Sequence, residues 1–219
     1  MALDFLVFCT RNPKPCPLLD VTEVGNPEPE IVAAGADLRT DLPRYHIFRN
    51  GEFTEEVGDV SDIWQNDFVG FLVGCSFSFE AALMDERIPV RHIEEGKNVP
   101  MYKTNIACNT AGAFSAPLVV SMRPLSPSDV VRAVQITSRF TKAHGTPIHF
   151  GSPEEIGITN LDAPDFGEAV TIQEGEIPVF WACGVTTQIA ILQAKPEIAI
   201  THAPGYMFVT DVKDDHFSW

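Results

Sequence analysis

Five cysteines, six histidines and a few arginines carry most of the reactive chemistry in this 219-residue chain. The stretch FLVGCSFSFE, residues 71 to 80, sets a thiol, two hydroxyls and a carboxylate where an apolar run stops at glycine. A second stretch, VFWACGVTT, residues 179 to 187, repeats the plan, and a third, IHFGSPEEI, residues 148 to 156, follows it without the cysteine. In each, an apolar strand reaches a glycine that allows a sharp turn, and hydroxyls then meet the free N–H groups of a helix start, a natural anion site. Ligands of open α/β sheets sit at the carboxyl ends of strands. Gly74, Ser76, Ser78, Gly151, Cys183, Gly184 and Thr186 are therefore expected to line one substrate pocket. The plainer alternative makes the hydroxyls N-caps and the two thiols small core residues.

Within that pocket, Cys75, Glu80, His149 and His202 are the candidate catalytic groups. Cys75 and Cys183 stand where a helix start would favour the thiolate, while shielding by Phe77 and Phe79 would oppose it. Histidine titrates near neutral pH; His149 precedes Gly151, and His202 ends a run before a Pro-Gly turn. His144 reads as a partner for a helix C-terminus. Arg91 and Arg123 are scarce cations that could clamp a carboxylate in bidentate fashion. No HxxH or HExxH pattern supports a metal. The absence of P-loop, GxGxxG and GxSxG patterns leaves no cofactor expected and no support for a nucleotide site or a serine hydrolase.

The elements that must hold these groups read as a mixed α+β chain: a central mixed sheet, flanking helices and a smaller β-rich part at about 85–118, within one domain spanning 1–219. Phe5 to Phe8 is a short strand or half a helix, and prolines at 13, 15 and 17 forbid helix after it. Asn50-Gly51 predicts a type I′ hairpin. Asp67 to Val73 is a buried strand, and a short helix follows from about Ser78 to Glu86. Residues 88–105 are expected to form two antiparallel strands around Glu95-Gly96-Lys97-Asn98. Pro117 to Met122 is a strand, and Ser126-Pro127 starts a helix ending at His144-Gly145. With the strand at "PIHF" this makes a βαβ unit with parallel strands. Val170 to Ile172 and Ile177 to Ala182 are strands around a turn, Thr186 to Ala194 is a helix, and "EIAITH" and "MFVTD" are strands.

A formal charge of −15 argues against nucleic acid and anionic membranes as partners and leaves a small acid held by local cations. A homodimer stays open. No apolar stretch approaches the roughly 18 residues of a membrane span, and the acid-bearing start is a poor signal peptide. Scattered, odd-numbered cysteines fit a reducing compartment: the cytoplasm, or the mitochondrial matrix in a eukaryote.

The strings "NPKPCPLLDV", "DLRTDLPRY", "GCSFSFEAAL", "VPMYKTNI", "VVSMRPL", "HGTPIHFG", "PDFGEAV", "PVFWACGVT" and "ITHAPGYM" resemble the hydro-lyase family whose members include the domain of mitochondrial D-glutamate cyclase. The resemblance runs from about Leu3 to Asp211. Members of that family carry some tens of residues ahead of the "DFL" stretch, a region inside which this chain begins. The resemblance implies a lyase that eliminates water from a small carboxylic or amino acid, with closure of D-glutamate to 5-oxo-D-proline as one such reaction. It brings no catalytic residues with it. Cyclisation needs a carboxylate clamp, a base for the amine, donors for the developing oxyanion and an acid for the departing oxygen. Arg91 or Arg123, the amides after Gly74 and Gly184, and His149, His202, Cys75 or Glu80 are the residues available. A non-catalytic small-acid binding or regulatory module is the rival reading, and a metal-dependent hydrolase is a third.

Overall fold

Local sequence rules account for much of the chain in the computed structural model, which describes residues 1–217. Helix α1, Ala2–Arg11, buries Phe5, Phe8 and Cys9 at helical spacing, with Asp4 in its first turn and Arg11 in its last. The hairpin of β2, Tyr45–Arg49, and β3, Glu52–Val57, turns through Asn50 and Gly51, both at positive φ, as a type I′ turn requires. Helix α4, Pro127–Thr137, starts where Ser126 Oγ accepts the Asp129 N–H at 3.2 Å. It stops well before His144, because Phe140 leaves helical backbone and a separate 3-10 turn, Thr141–Ala143, follows.

The remaining elements are β1, Leu18–Val21; β4, Phe71–Val73; α2, Glu80–Asp85; α3, Arg91–Glu94; β5, Met101–Ala107; β6, Pro117–Leu125; β7, His149–Phe150; β8, Ile177–Ala182; α5, Val185–Ala194; and β9, Ile198–His202. The result is a mixed α+β fold with three sheets, ordered β1-β4, β3-β2-β9 and β5-β6-β8-β7. Among the described residues all the strand pairings are antiparallel. The expected βαβ unit is altered accordingly: β6 and β7 do run in the same direction, but β8 lies between them and pairs with both.

Three further expectations change. Residues 91–94 form helix α3 rather than a strand: the backbone N–H groups of Glu94 and Glu95 bond locally, to the Val90 and Arg91 carbonyls, instead of to a neighbouring strand. Residues 170–172 form no strand: the Thr171 N–H goes to Glu95 and its carbonyl to Arg91. Residues 207–211 are irregular, with the Asp211 N–H bonded to the Val32 carbonyl. Residues 85–118 hold α3 and β5, and β5 joins the four-stranded sheet.

That sheet positions the site. Strand β6 is buried along nearly its whole length and paired on both edges. One face carries Leu125, Val179 and Trp181 against α4, Phe79 and Leu83. The other carries Val120, Met122, Phe180 and Ala182 against Tyr102, Ile156 and Ile158. Side chains alternate faces along a strand, so Ser121 and Arg123 share the Trp181 face of β6.

Candidate active site

Two of the three strand-to-helix turns meet. Gly74 follows β4, and its N–H donates to the Pro17 carbonyl at 2.9 Å. A Cβ at this position would overlap the Lys142 carbonyl oxygen, so glycine is required here by close approach of another backbone. Gly184 follows β8, and a Cβ on it would lie 3.9 Å from the Gly74 carbonyl oxygen. Cys75 and Cys183 stand beside these glycines, half-buried and buried respectively.

Both thiols are held protonated. Burial pushes the Cys75 thiol up; the Phe77 backbone N–H opposes this, Glu80 adds to it, and Arg123 and Ser76 oppose it. Cys183 is pushed up to about 12, by burial first, against the Val185 N–H. Of the two opposing effects expected at Cys75, burial outweighs the helix start, since the helix ahead of it is only a 3-10 turn, Ser76–Phe79, followed by the six-residue α2. A dipole that short does not repay desolvation.

Next to the turn lies a buried ionic cluster. Glu80 is 4% exposed and Arg123 is 1% exposed. Arg123 donates through Nε to Glu80 Oε1 at 3.0 Å and through a terminal nitrogen to the same oxygen. It also donates to Ser121 Oγ at 3.1 Å and Ser76 Oγ at 3.2 Å, and stands over the Phe79 and Trp181 rings. His92 Nε2 lies 3.3 Å from Glu80 Oε1. Burial pushes the Glu80 carboxyl up, but the Arg123 charge, with the neighbouring His92 ring, outweighs it and holds the group below the usual carboxylate range. A buried, ionised carboxylate is costly to build and is strongly held only while its partners are present.

The other candidates are placed as follows. Arg91 is committed elsewhere: it pairs with Glu176 Oε1 at 2.6 Å, with Glu94 at 3.2 Å and with the Thr171 carbonyl at 2.7 Å, and so ties α3 to the 171–176 segment. Thr186 is spent on the fold, donating to the Cys183 carbonyl and accepting the Val119 N–H. Ser78 is half-buried in the 3-10 turn. His149 of β7 pairs with Phe180 of β8, which puts it on the sheet face opposite Arg123, with its Nε2 on the Ser152 carbonyl at 2.7 Å. Gly151 follows it there, its N–H on the Pro178 carbonyl. The third turn thus does not join the other two, and the single pocket expected for all three is corrected to a pairing of two. His202 closes β9 in the three-stranded sheet, its Nδ1 on the Ala203 carbonyl at 2.8 Å.

Of two buried histidines, sequence reasoning singled out His144, as a helix-end partner, and not His92. His92 lies one residue beyond Arg91 and was read as part of a strand; no spacing marks it. His144, 2% exposed and at φ 75°, donates from Nδ1 to the Lys14 carbonyl at 2.8 Å and lies against the Gly74 backbone. Burial foremost lowers its pKa to about 4.

The chain is similar to known proteins along most of its length. The D-glutamate cyclase family matches residues 69–211, a span that contains both turns and the ionic cluster. A protein of Stutzerimonas stutzeri is 62% identical over 98% of this chain and 81% of its own length. One from Geobacillus kaustophilus is 63% identical over 98% and 82%, and one from Bacillus subtilis is 60% identical over 98% and 84%. Each of the three carries the name "Putative hydro-lyase". No helix among the described residues is long and apolar enough to cross a membrane.

Proposed function

This chain belongs to the D-glutamate cyclase family, and from that premise we propose that it is a hydro-lyase acting on a small carboxylic or amino acid, with closure of D-glutamate to 5-oxo-D-proline as its reaction. The observation that carries this reading is the buried Glu80–Arg123 pair beside the Gly74-Cys75-Ser76 turn. Removing water from an amino acid side chain requires a dry site with fixed charges, since developing charge is then met by groups that need not reorganise.

Each group near the turn has a use in such a reaction. The protonated Cys75 thiol is a neutral donor for the oxygen that departs. The Ser76 hydroxyl, held by Arg123 at 3.2 Å, is a second polar group at the same turn. Glu80 and Arg123 neutralise one another, so neither is free to clamp the substrate carboxylate. Glu80 instead fixes the groups around it. The reading is tested by incubating the purified protein with a panel of small carboxylic and amino acids, D-glutamate among them, and following product by mass spectrometry. Turnover of one acid, lost in Glu80→Gln, supports it. Tight binding of an acid with no conversion would leave a binding module instead.

A further inference from the structure

Among the described residues two buried ring nitrogens, His92 Nδ1 and His144 Nε2, have no hydrogen-bond partner, and His92 is the one beside Glu80. His92 is 4% exposed, and its Nε2 sits 3.3 Å from Glu80 Oε1. An ionised carboxylate only accepts, so Nε2 carries the proton and donates it. In the neutral ring Nδ1 is then a bare lone pair, and this atom is buried with no hydrogen-bond partner among the described residues. Buried polar atoms are almost always satisfied, so an orphan acceptor marks a place for a donor that the folded chain does not supply.

The ring is also held in place. Glu80, itself fixed by Arg123, grips one edge, and Phe77 stacks on its face with centroids 6.1 Å apart and planes at 24°. Phe77 belongs to the same turn as Ser76, next to Cys75. A carboxylate that orients an imidazole, whose far nitrogen is left bare, is the arrangement of a general base.

We propose that His92 is the general base of this site, its Nδ1 taking the proton from the substrate nitrogen that attacks. This rests on the hydro-lyase reading above. The nitrogen–hydrogen bond breaks, the Nδ1–H bond forms, and the freed electron pair attacks the side-chain carboxyl carbon. Glu80 stabilises the imidazolium. Over the cycle two protons leave the nitrogen and two arrive on the oxygen that departs as water, so His92 ends neutral and nothing else is consumed.

His92→Gln keeps an amide able to donate to Glu80 but has no basic nitrogen. A folded His92→Gln protein, checked by its thermal midpoint, should lose about 100-fold or more in kcat for 5-oxo-D-proline formation, with KM little changed. A kcat close to that of the unsubstituted protein overturns the proposal. The tautomer supplies a second measurement that needs no turnover: in protein with 15N-labelled histidine, His92, assigned through its contact with Phe77, should be protonated at Nε2 and bare at Nδ1. A ring protonated at Nδ1 overturns the proposal too. If no acid in the panel is converted, the hydro-lyase reading fails and this proposal with it; turnover that survives in folded His92→Gln overturns the proposal alone.

Discussion

Glu80 and Arg123 meet inside the protein at 4% and 1% exposure, and both Arg123 contacts fall on one carboxylate oxygen, Oε1. Pairs of this kind cost more to break than they contribute when whole. Arg123→Met alone should destabilise the fold by about 3–5 kcal/mol, because it strands a buried carboxylate. Adding Glu80→Leu should restore a large part of that loss. Urea unfolding of the two single variants and the double variant measures both effects. A loss below about 1 kcal/mol for Arg123→Met would place the pair in the class of exposed salt bridges.

Acid should weaken the fold in two stages. The pKa of His144 falls from 6.5 to about 4 on folding, with burial as the main cause. Between those values the unfolded chain binds a proton that the folded one refuses, so stability declines as pH drops through this window, by about 3 kcal/mol in all. Glu80 has the opposite chemistry but the same sign: its folded pKa is depressed, so its contribution is whole above the unfolded carboxylate value and is lost as pH falls through the folded one. The range from about 6.5 down to 5 therefore reports His144 alone of the two. His144→Asn, which tolerates the left-handed backbone at this position, should flatten the slope there. An unchanged slope in unfolding curves taken across that range would count against it.

The two glycines of the paired turns should respond unequally to substitution. A Cβ at Gly74 overlaps the Lys142 carbonyl, whereas at Gly184 it meets the Gly74 oxygen at an ordinary 3.9 Å. Gly74→Ala should cost about 3 kcal/mol or more and disturb the Cys75 turn. Gly184→Ala should change stability by no more than about 1 kcal/mol. Thermal unfolding of the two variants side by side decides this, and equal losses would contradict the close approach of the Lys142 carbonyl to Gly74.

Cys75 should be a slow nucleophile. Its thiol is pushed up by burial more than the Phe77 amide and Arg123 pull it down, so little thiolate is present near neutral pH. Iodoacetamide should modify native Cys75 more slowly than a free thiol at the same pH. Faster labelling than a free thiol would restore a nucleophilic role. In turnover, Cys75→Ala should be slower than Cys75→Ser, since serine keeps a hydrogen-bond donor at that position.

Signals confined to a few neighbouring residues were legible in the sequence. Ser126-Pro127 starts α4, Asn50-Gly51 makes the hairpin turn, and Cys75 and Cys183 share a strand–glycine–helix plan whose two copies do come together. What was hidden depends on partners far away in sequence. The four residues of α3 are too few to show a helical period, and their placement comes from Glu80 and Glu176, well upstream and well downstream. His149 looked like its counterparts, but strand β7 is two residues long, and only its pairing with Phe180 reveals which sheet face it takes. Arg91 and Arg123 could both be read as clamps, because sequence does not show that the chain's own carboxylates already occupy them. The family resemblance reached the correct family through long strings, yet pointed to no residue within the site.

The most direct measurement uses D-glutamate carrying 18O in both oxygens of its side-chain carboxylate. Cyclisation by this protein should release labelled water and yield 5-oxo-D-proline that retains one 18O, at a rate well above the spontaneous one and abolished in Glu80→Gln. No product above the spontaneous rate from the intact, folded protein, or a rate that Glu80→Gln leaves unchanged, would contradict water elimination at the Glu80–Arg123 site.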